Sequence, residues 1–214
     1  MLIVRLGLIL MLIAALASGG LALLNTQTAP VIAQNRALEQ EQARVEVMRS
    51  LGVIRFEKRI ADNGLEYYKA YDERGEMIGY VTVAKGKGYS STIETVAGYD
   101  TTLHVAGLKI TFQLETPGLG TKSQEVHKGE ATPWFLQQFT GKDATTLAVK
   151  KDRGDIDAIT GATITSRAVT NSVRKAALQL KEAIAHEPVP MAAPVVTDTL
   201  ATVAEPSMAG ERKP

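Results

Sequence analysis

The residues best suited to chemistry stand together in one stretch, Asp157-Ala-Ile-Thr-Gly-Ala-Thr-Ile-Thr-Ser166, with three threonines, a serine, a carboxylate and a glycine. From Ser166 onward Val169, Val173, Ala176, Leu180 and Ile184 recur at spacings of three and four, one apolar stripe of an amphipathic helix. Arg167, Arg174, Lys175 and Lys181 fall off that stripe. Ser166 or Thr165 is suited to the N-cap, because a hydroxyl there accepts a hydrogen bond from a first-turn N–H. Thr163 then lies just ahead of a helix N-terminus, where free amides and the macrodipole favour a phosphate. A hydroxyl-rich cap with a glycine turn accounts for the same residues without any ligand, and geometry alone favours it.

Two other stretches carry donors beside glycines. Glu115-Thr-Pro-Gly-Leu-Gly-Thr-Lys122 breaks every periodicity with a proline and two glycines, so it is a loop with special backbone needs. Its amides could approach a flat or anionic ligand, with Thr116, Thr121 and Lys122 as donors, or it could be a plain connection between sheet and helix. Tyr89, Ser90 and Ser91 form a smaller cluster, equally compatible with the exposed face of an edge strand.

Composition removes most other chemistry. The chain has 214 residues and no cysteine, which excludes disulfides, zinc–thiolate sites, cysteine-held iron–sulfur clusters and c-type haem attachment. Any redox work must therefore use a bound organic cofactor. His104, His127 and His186 are far apart, without ligand-spaced neighbours, so no metal is expected. Lys85-Gly-Lys-Gly88 lacks the third glycine and the context of a dinucleotide fingerprint, and neither a Gly-x-Ser-x-Gly elbow nor a Walker lysine occurs. With a net charge of +1 and 5% aromatics, nothing marks a nucleic-acid binder.

The elements that must position these residues follow from patterning. Leu6 to Leu24 carries no charge over 19 residues, enough at about 1.5 Å per residue to cross a hydrocarbon core of about 30 Å. A signal peptide cleaved after Ala17 is the competing reading, but the run continues to Leu24 and so favours a retained anchor. Arg5 before the span and no charge after it until Arg36 place the N-terminus in the cytoplasm and the rest outside. Asn25 to Asn35 reads as an interfacial linker. Arg36 to Met48 reads as a solvated juxtamembrane helix with a weak stripe (Leu38, Val45, Met48), ended by Gly52. Strands are expected at Leu65–Tyr71 and Met77–Val83 around Asp72–Gly75, at 92–96, and as a pair at Thr101–Ala106 and Leu108–Leu114 around Gly107. Trp134–Phe139 suits a short helix and Leu147–Val149 a short strand. The layout is an anchor (1–25), a juxtamembrane linker and helix (26–50), one domain (51–186) and a Pro/Ala-rich tail (187–214) read as disordered. The fold class is α+β: one transmembrane helix, then an antiparallel sheet with flanking helices.

Three motifs together carry a resemblance. Asp157-Ala-Ile-Thr-Gly-Ala-Thr163 resembles the Asp-x-x-(Ser/Thr)-Gly-Ala-Thr signature of FMN-binding domains that carry covalent flavin. Glu115-Thr-Pro-Gly-Leu-Gly120 resembles their second loop, and Gly86-Lys-Gly-Tyr-Ser90 their glycine–tyrosine turn. With its single anchor, the chain to about His186 is similar to the RnfG proteins of the Rnf electron-transport complex; the NqrC proteins of the sodium-pumping NADH:quinone reductase share the motifs but are generally longer. The resemblance implies one FMN per chain, its phosphate esterified to Thr163 by a flavin transferase outside the cytoplasmic membrane. It implies cofactor contacts from Thr160, Gly161, Ala162, Thr165, Tyr89, Ser90, Glu115, Thr116, Gly118, Leu119 and Lys122, and a base or orienting role for Asp157 during attachment. It implies a relay function in an inner-membrane, ion-translocating ferredoxin:NAD oxidoreductase. The expected partners are membrane, iron–sulfur and flavin subunits, with the domain periplasmic and no substrate chemistry of its own. The alternatives are the same carrier in a quinone reductase or another exported reductase, and an anchored phosphate-binding or structural protein.

Overall fold

The computed structural model describes residues 2–186; the tail expected to be disordered lies outside them. The chain opens with one uninterrupted helix, α1, Leu2–Val47. Neither the linker at Asn25–Asn35 nor a separate juxtamembrane helix is found. Pro30 sits inside α1, where it removes one N–H from a ladder that long flanks of Ala, Leu, Gln and Glu sustain on both sides. Thr26 and Thr28 turn their hydroxyls back onto the carbonyls of Leu23 and Leu24. The first part of α1 is long and apolar enough to cross a membrane, with none of that window buried against the protein. A short 3-10 turn, Arg49–Leu51, follows, and Gly52 ends it at φ 70°.

Five strands then form one antiparallel sheet in sequence order: β1 (Arg55–Ile60), β2 (Glu66–Tyr71), β3 (Met77–Lys87), β4 (Thr92–Asp100) and β5 (Val105–Phe112). The Asp72 carboxylate closes the expected β2–β3 turn by accepting from the amides of Arg74 and Glu76. β1 has no counterpart among the expected strands. Arg55-Phe-Glu-Lys-Arg-Ile60 is mostly charged because it forms the sheet edge, where Lys58 pairs with Glu66 and Arg59 with Glu57. Gly107 is not a turn either. β5 runs straight through it, opposite Gly98 of β4, and the turn falls at Thr101–His104 instead, organised by the Asp100 carboxylate. Leu147–Val149 forms no strand; Val149 makes only an isolated bridge to Ile156.

Helices cover both faces of the sheet. On one side lies α3, Thr163–Ala185, whose expected stripe holds: Val169, Val173, Ala176 and Leu180 are buried among Tyr67, Tyr80, Tyr99, Phe135 and Phe139. The short α2, Trp134–Gln137, closes this core from the side. On the other face the end of α1 docks through Ala43, Val47 and Met48, which are fully or almost fully buried. That end is therefore not a solvated stalk, and Leu38 and Val45 face outward. Glycines admit the helix: a Cβ on Gly107 would lie 2.6 Å from the Val47 carbonyl oxygen, and one on Gly98 2.7 Å from Met48 Sδ. Arg36 over Phe112 and Arg44 over Tyr68 extend the contact along α1. The end of α1 and the domain are thus packed together.

Candidate functional site

The hydroxyl-rich stretch becomes a turn followed by the first turn of α3. Gly161 takes φ 78°, and a Cβ there would lie 3.0 Å from Leu119 Cδ2, so the glycine lets the second loop close over the turn. The N-cap is Ala162, not Thr165 or Ser166, and it makes no side-chain cap. Thr163 is the first helical residue. The Ser166 amide bonds the Ala162 carbonyl at 3.0 Å, which leaves the amides of Thr163, Ile164 and Thr165 at the open helix end. Thr165 and Ser166 are buried and employed elsewhere. Ser166 Oγ accepts from the Ile159 amide and donates to the Ala162 carbonyl. Thr165 Oγ1 donates to Glu115 Oε2 at 2.6 Å. Thr163 is half-buried and Thr160 exposed, so these two hydroxyls remain open to a ligand.

Glu115 is the junction of the three motifs. Its side chain is 5% exposed in all and accepts five hydrogen bonds. The amides of Tyr89, Ser90 and Ser91 each reach it at 3.0 Å, the Ser91 hydroxyl at 3.2 Å and the Thr165 hydroxyl at 2.6 Å. Burial pushes its carboxyl upward, but the Thr165 hydroxyl and the three amides outweigh it and hold the group below its ordinary value. Two glycines leave room for it: a Cβ on Gly88 would lie 2.5 Å from Glu115 Oε1, and one on Gly120 2.6 Å from Glu115 Cβ. Glu115 therefore ties the β3–β4 turn, the second loop and α3 into one block, and does not present its carboxylate outward. Around the block Tyr89, Leu114, Leu119 and Ile164 are exposed apolar side chains, at 72%, 68%, 43% and 51%. They suit the flat face of an aromatic ligand.

The remaining expected contacts divide. In the second loop Gly118 adopts φ 75° and donates its amide to Thr121 Oγ1. Thr116, Gly118 and Leu119 line its exposed edge. Lys122 stands a turn farther along, and its ammonium bonds none of the other site groups. Asp157 is also set apart: its carboxylate pairs with Lys150 at 2.8 Å and makes no hydrogen bond to Thr163. Sequence reasoning missed Lys151, whose ammonium stands 3.3 Å from Thr163 Oγ1. Twelve residues separate the two, and no local pattern signals the contact. From Ile164 a cleft of about 340 Å³ runs along α3 against the end of β3, with Lys87, Arg167 and Lys175 on its walls. Among the described residues no group of three or more acidic, histidine or cysteine side chains could hold a metal ion.

The family described as FMN-binding domain matches residues 88–178, and that described as RnfG N-terminal region matches residues 1–47. The G component of the ion-translocating oxidoreductase complex of Escherichia coli (strain K12) is 33% identical over 184 residues, covering 80% of this chain and 88% of its own. The G component of the Na(+)-translocating ferredoxin:NAD(+) oxidoreductase complex of Acetobacterium woodii is 34% identical over 189 residues, 79% of this chain and 87% of its own. Among solved structures, Shewanella oneidensis NqrC aligns at a TM-score of 0.43 with 22% identity, over 62% of this chain and 73% of that one. With relatives matched along most of its length and two successive family regions in order, the chain belongs to the RnfG family of the ion-translocating oxidoreductase (Rnf) complexes.

Proposed function

We propose that this protein is an electron-relay flavoprotein of a membrane-bound, ion-translocating oxidoreductase complex, carrying one FMN as a phosphoester on Thr163. The observation that carries the reading is Thr163 itself. It is the half-buried first residue of α3, beside a left-handed Gly161, with three amides at the helix end and a lysine ammonium on its oxygen. Such a position suits a phosphate bound to the side-chain oxygen. The absence of cysteine in the whole chain leaves the flavin as the redox group. When bound, FMN supplies the electron-accepting and electron-donating chemistry.

What the chain's own residues do is hold and orient. The Glu115 junction fixes the two loops that flank Thr163, so the exposed faces of Tyr89, Leu119 and Ile164 keep one arrangement. Thr160, Ala162, Thr116 and Gly118 complete the surroundings of the attachment point, with Lys122 farther along the second loop. α1 crosses the inner membrane once with its N-terminus in the cytoplasm, and the domain faces the periplasm, where an ester prevents loss of the cofactor. The other membrane and redox subunits of the complex are the electron partners, and a flavin transferase makes the bond.

Membranes from cells that also express the transferase, denatured and run on a gel, test the reading. A flavin-fluorescent band at the mass of this chain, absent in Thr163→Ala and retained in Thr165→Ala, is expected. A dark wild-type band rules out the covalent flavin, and a band surviving in Thr163→Ala moves it to another residue.

A further inference from the structure

Three consecutive side chains of the turn at Lys150–Asp152 reach across to the attachment segment, each to a different residue. Lys150 Nζ lies 2.8 Å from Asp157 Oδ2, Lys151 Nζ 3.3 Å from Thr163 Oγ1, and Asp152 receives Arg167 through Nε at 2.8 Å and Nη2 at 2.6 Å. The turn itself is held from within. The Lys150 amide bonds the Ile156 carbonyl at 2.8 Å, Arg153 takes φ 64°, and a Cβ on Gly154 would strike the Ala148 carbonyl. The outer two contacts are ion pairs of opposite charge and satisfy themselves. The middle one is different: an ammonium rests on a neutral hydroxyl, on the first residue of a helix whose opening amides have no intrahelical acceptor. Among the contacts of the described residues, the Lys151 ammonium is the one charged group on this uncharged oxygen. Arg167 is unable to serve the same oxygen while its guanidinium is engaged by Asp152, nor is Lys150 while it holds Asp157. The Asp157 carboxylate is engaged by Lys150 rather than by Thr163.

We propose that Lys151 is the positioning residue of the attachment site: its ammonium fixes Thr163 Oγ1 for the transfer and then pairs with the negative charge of the phosphodiester. The inference rests on the reading of Thr163 as the esterified residue. In the transfer from FAD, a bond forms between Thr163 Oγ1 and the flavin-side phosphorus. The bond from that phosphorus to the oxygen bridging the two phosphates breaks, and AMP leaves. The threonine proton passes to a base on the transferase, and nothing is oxidised or reduced. Lys151 donates its hydrogen bond throughout and takes no proton. Before attachment it restrains one hydroxyl; afterwards it faces a full anionic charge, where an ammonium interacts more strongly.

The test uses the full-length chain in membranes with the transferase and FAD, following the initial rate at which the fluorescent band appears. Lys151→Ala and Lys151→Gln are expected to slow attachment about tenfold, the scale of one charge-assisted hydrogen bond, while Lys151→Arg stays within about threefold of wild type. Lys150→Ala breaks an outer pair and keeps the Lys151 ammonium, so its rate should change little. On fully flavinylated protein, the phosphorus-31 resonance of the ester should move in Lys151→Ala and stay in Lys150→Ala. Melting temperatures should be level across the set, because these side chains are exposed. Wild-type rates in Lys151→Ala, or an unmoved phosphorus resonance, overturn the proposal. So does an equal slowing in Lys150→Ala with a lowered melting temperature, which marks the turn as merely structural. Thr163→Ala runs in parallel: if it still becomes fluorescent, the attachment reading itself has failed and the role of Lys151 falls with it.

Discussion

Replacing Glu115 with glutamine keeps the shape of the junction and removes its charge, and its cost can be worked from the contacts. Oε1 receives the amides of Ser90 and Ser91 and the Ser91 hydroxyl; Oε2 receives the Tyr89 amide and the Thr165 hydroxyl. The new amide nitrogen must replace one of these oxygens. At Oε1 it faces three donors. At Oε2 it faces two, of which the Thr165 hydroxyl can turn and accept, so that orientation wins and the Tyr89 N–H is left facing a donor. One unmet donor costs about 1–3 kcal/mol, and the surviving bonds fall from charged to neutral strength. Relief from burying a charge offsets part of this, leaving a net loss of about 2–3 kcal/mol. At this domain size each kcal/mol shifts the melting temperature by about 3–4 °C, so Glu115→Gln should melt about 6–12 °C below wild type. The pH dependence carries the same signature. The folded carboxyl is held below its ordinary value of 4.5, so the unfolded chain takes up the proton first. Glu115 therefore contributes stability that is fully present above about pH 4.5 and is lost as pH falls through the folded value. Thermal melts of both proteins between pH 3 and pH 7, monitored by circular dichroism, check both claims. The gap should be full at neutral pH and close in acid. A glutamine variant within about 2 °C of wild type at pH 7 would refute the assignment of Glu115 as the junction.

Three further outcomes follow from the packing. Gly107→Val places side-chain atoms against the Val47 backbone; it should free the end of α1 from the sheet and expose Arg44 and Arg49 to trypsin, while the same cuts stay slow in wild type. Tyr99→Phe removes a fully buried hydroxyl placed 3.3 Å from Thr82 Oγ1 and 3.4 Å from the Val173 carbonyl. It should cost about 1 kcal/mol in chemical denaturation, with no change in flavin attachment. A reporter enzyme fused after His186, active only when exported, should be active; activity confined to a cytoplasmic reporter at the same point contradicts the proposed orientation.

How much of this was legible in the sequence depended on whether the cause of each feature was local. The stripe from Val169 to Leu180 announced α3, because a helix face repeats within a few residues. Gly52 announced the end of the first helical segment for the same reason. β1 was hidden because an edge strand satisfies its charges sideways, and Arg55-Phe-Glu-Lys-Arg-Ile60 shows no apolar alternation. Gly107 looked like a turn because its reason for being glycine, the backbone of Val47, lies sixty residues back. At the site, the three motifs were readable as glycine-bearing donor clusters, but their connection was not. In its loop Glu115 reads as a ligand contact, whereas the fold turns its carboxylate onto five donors, and Lys151 carries no signal before the fold brings it to Thr163. Tertiary contacts of this kind leave no spacing to read.

The most direct measurement of the central claim is the position of the flavin on the chain. Trypsin cutting after Arg153 and Arg167 releases the peptide 154–167, which holds Thr160, Thr163, Thr165 and Ser166 together. Fragmentation of this peptide from protein matured with the transferase should place one FMN phosphoester on Thr163. An unmodified peptide, or a flavin localised to Thr160, Thr165 or Ser166, would contradict the account.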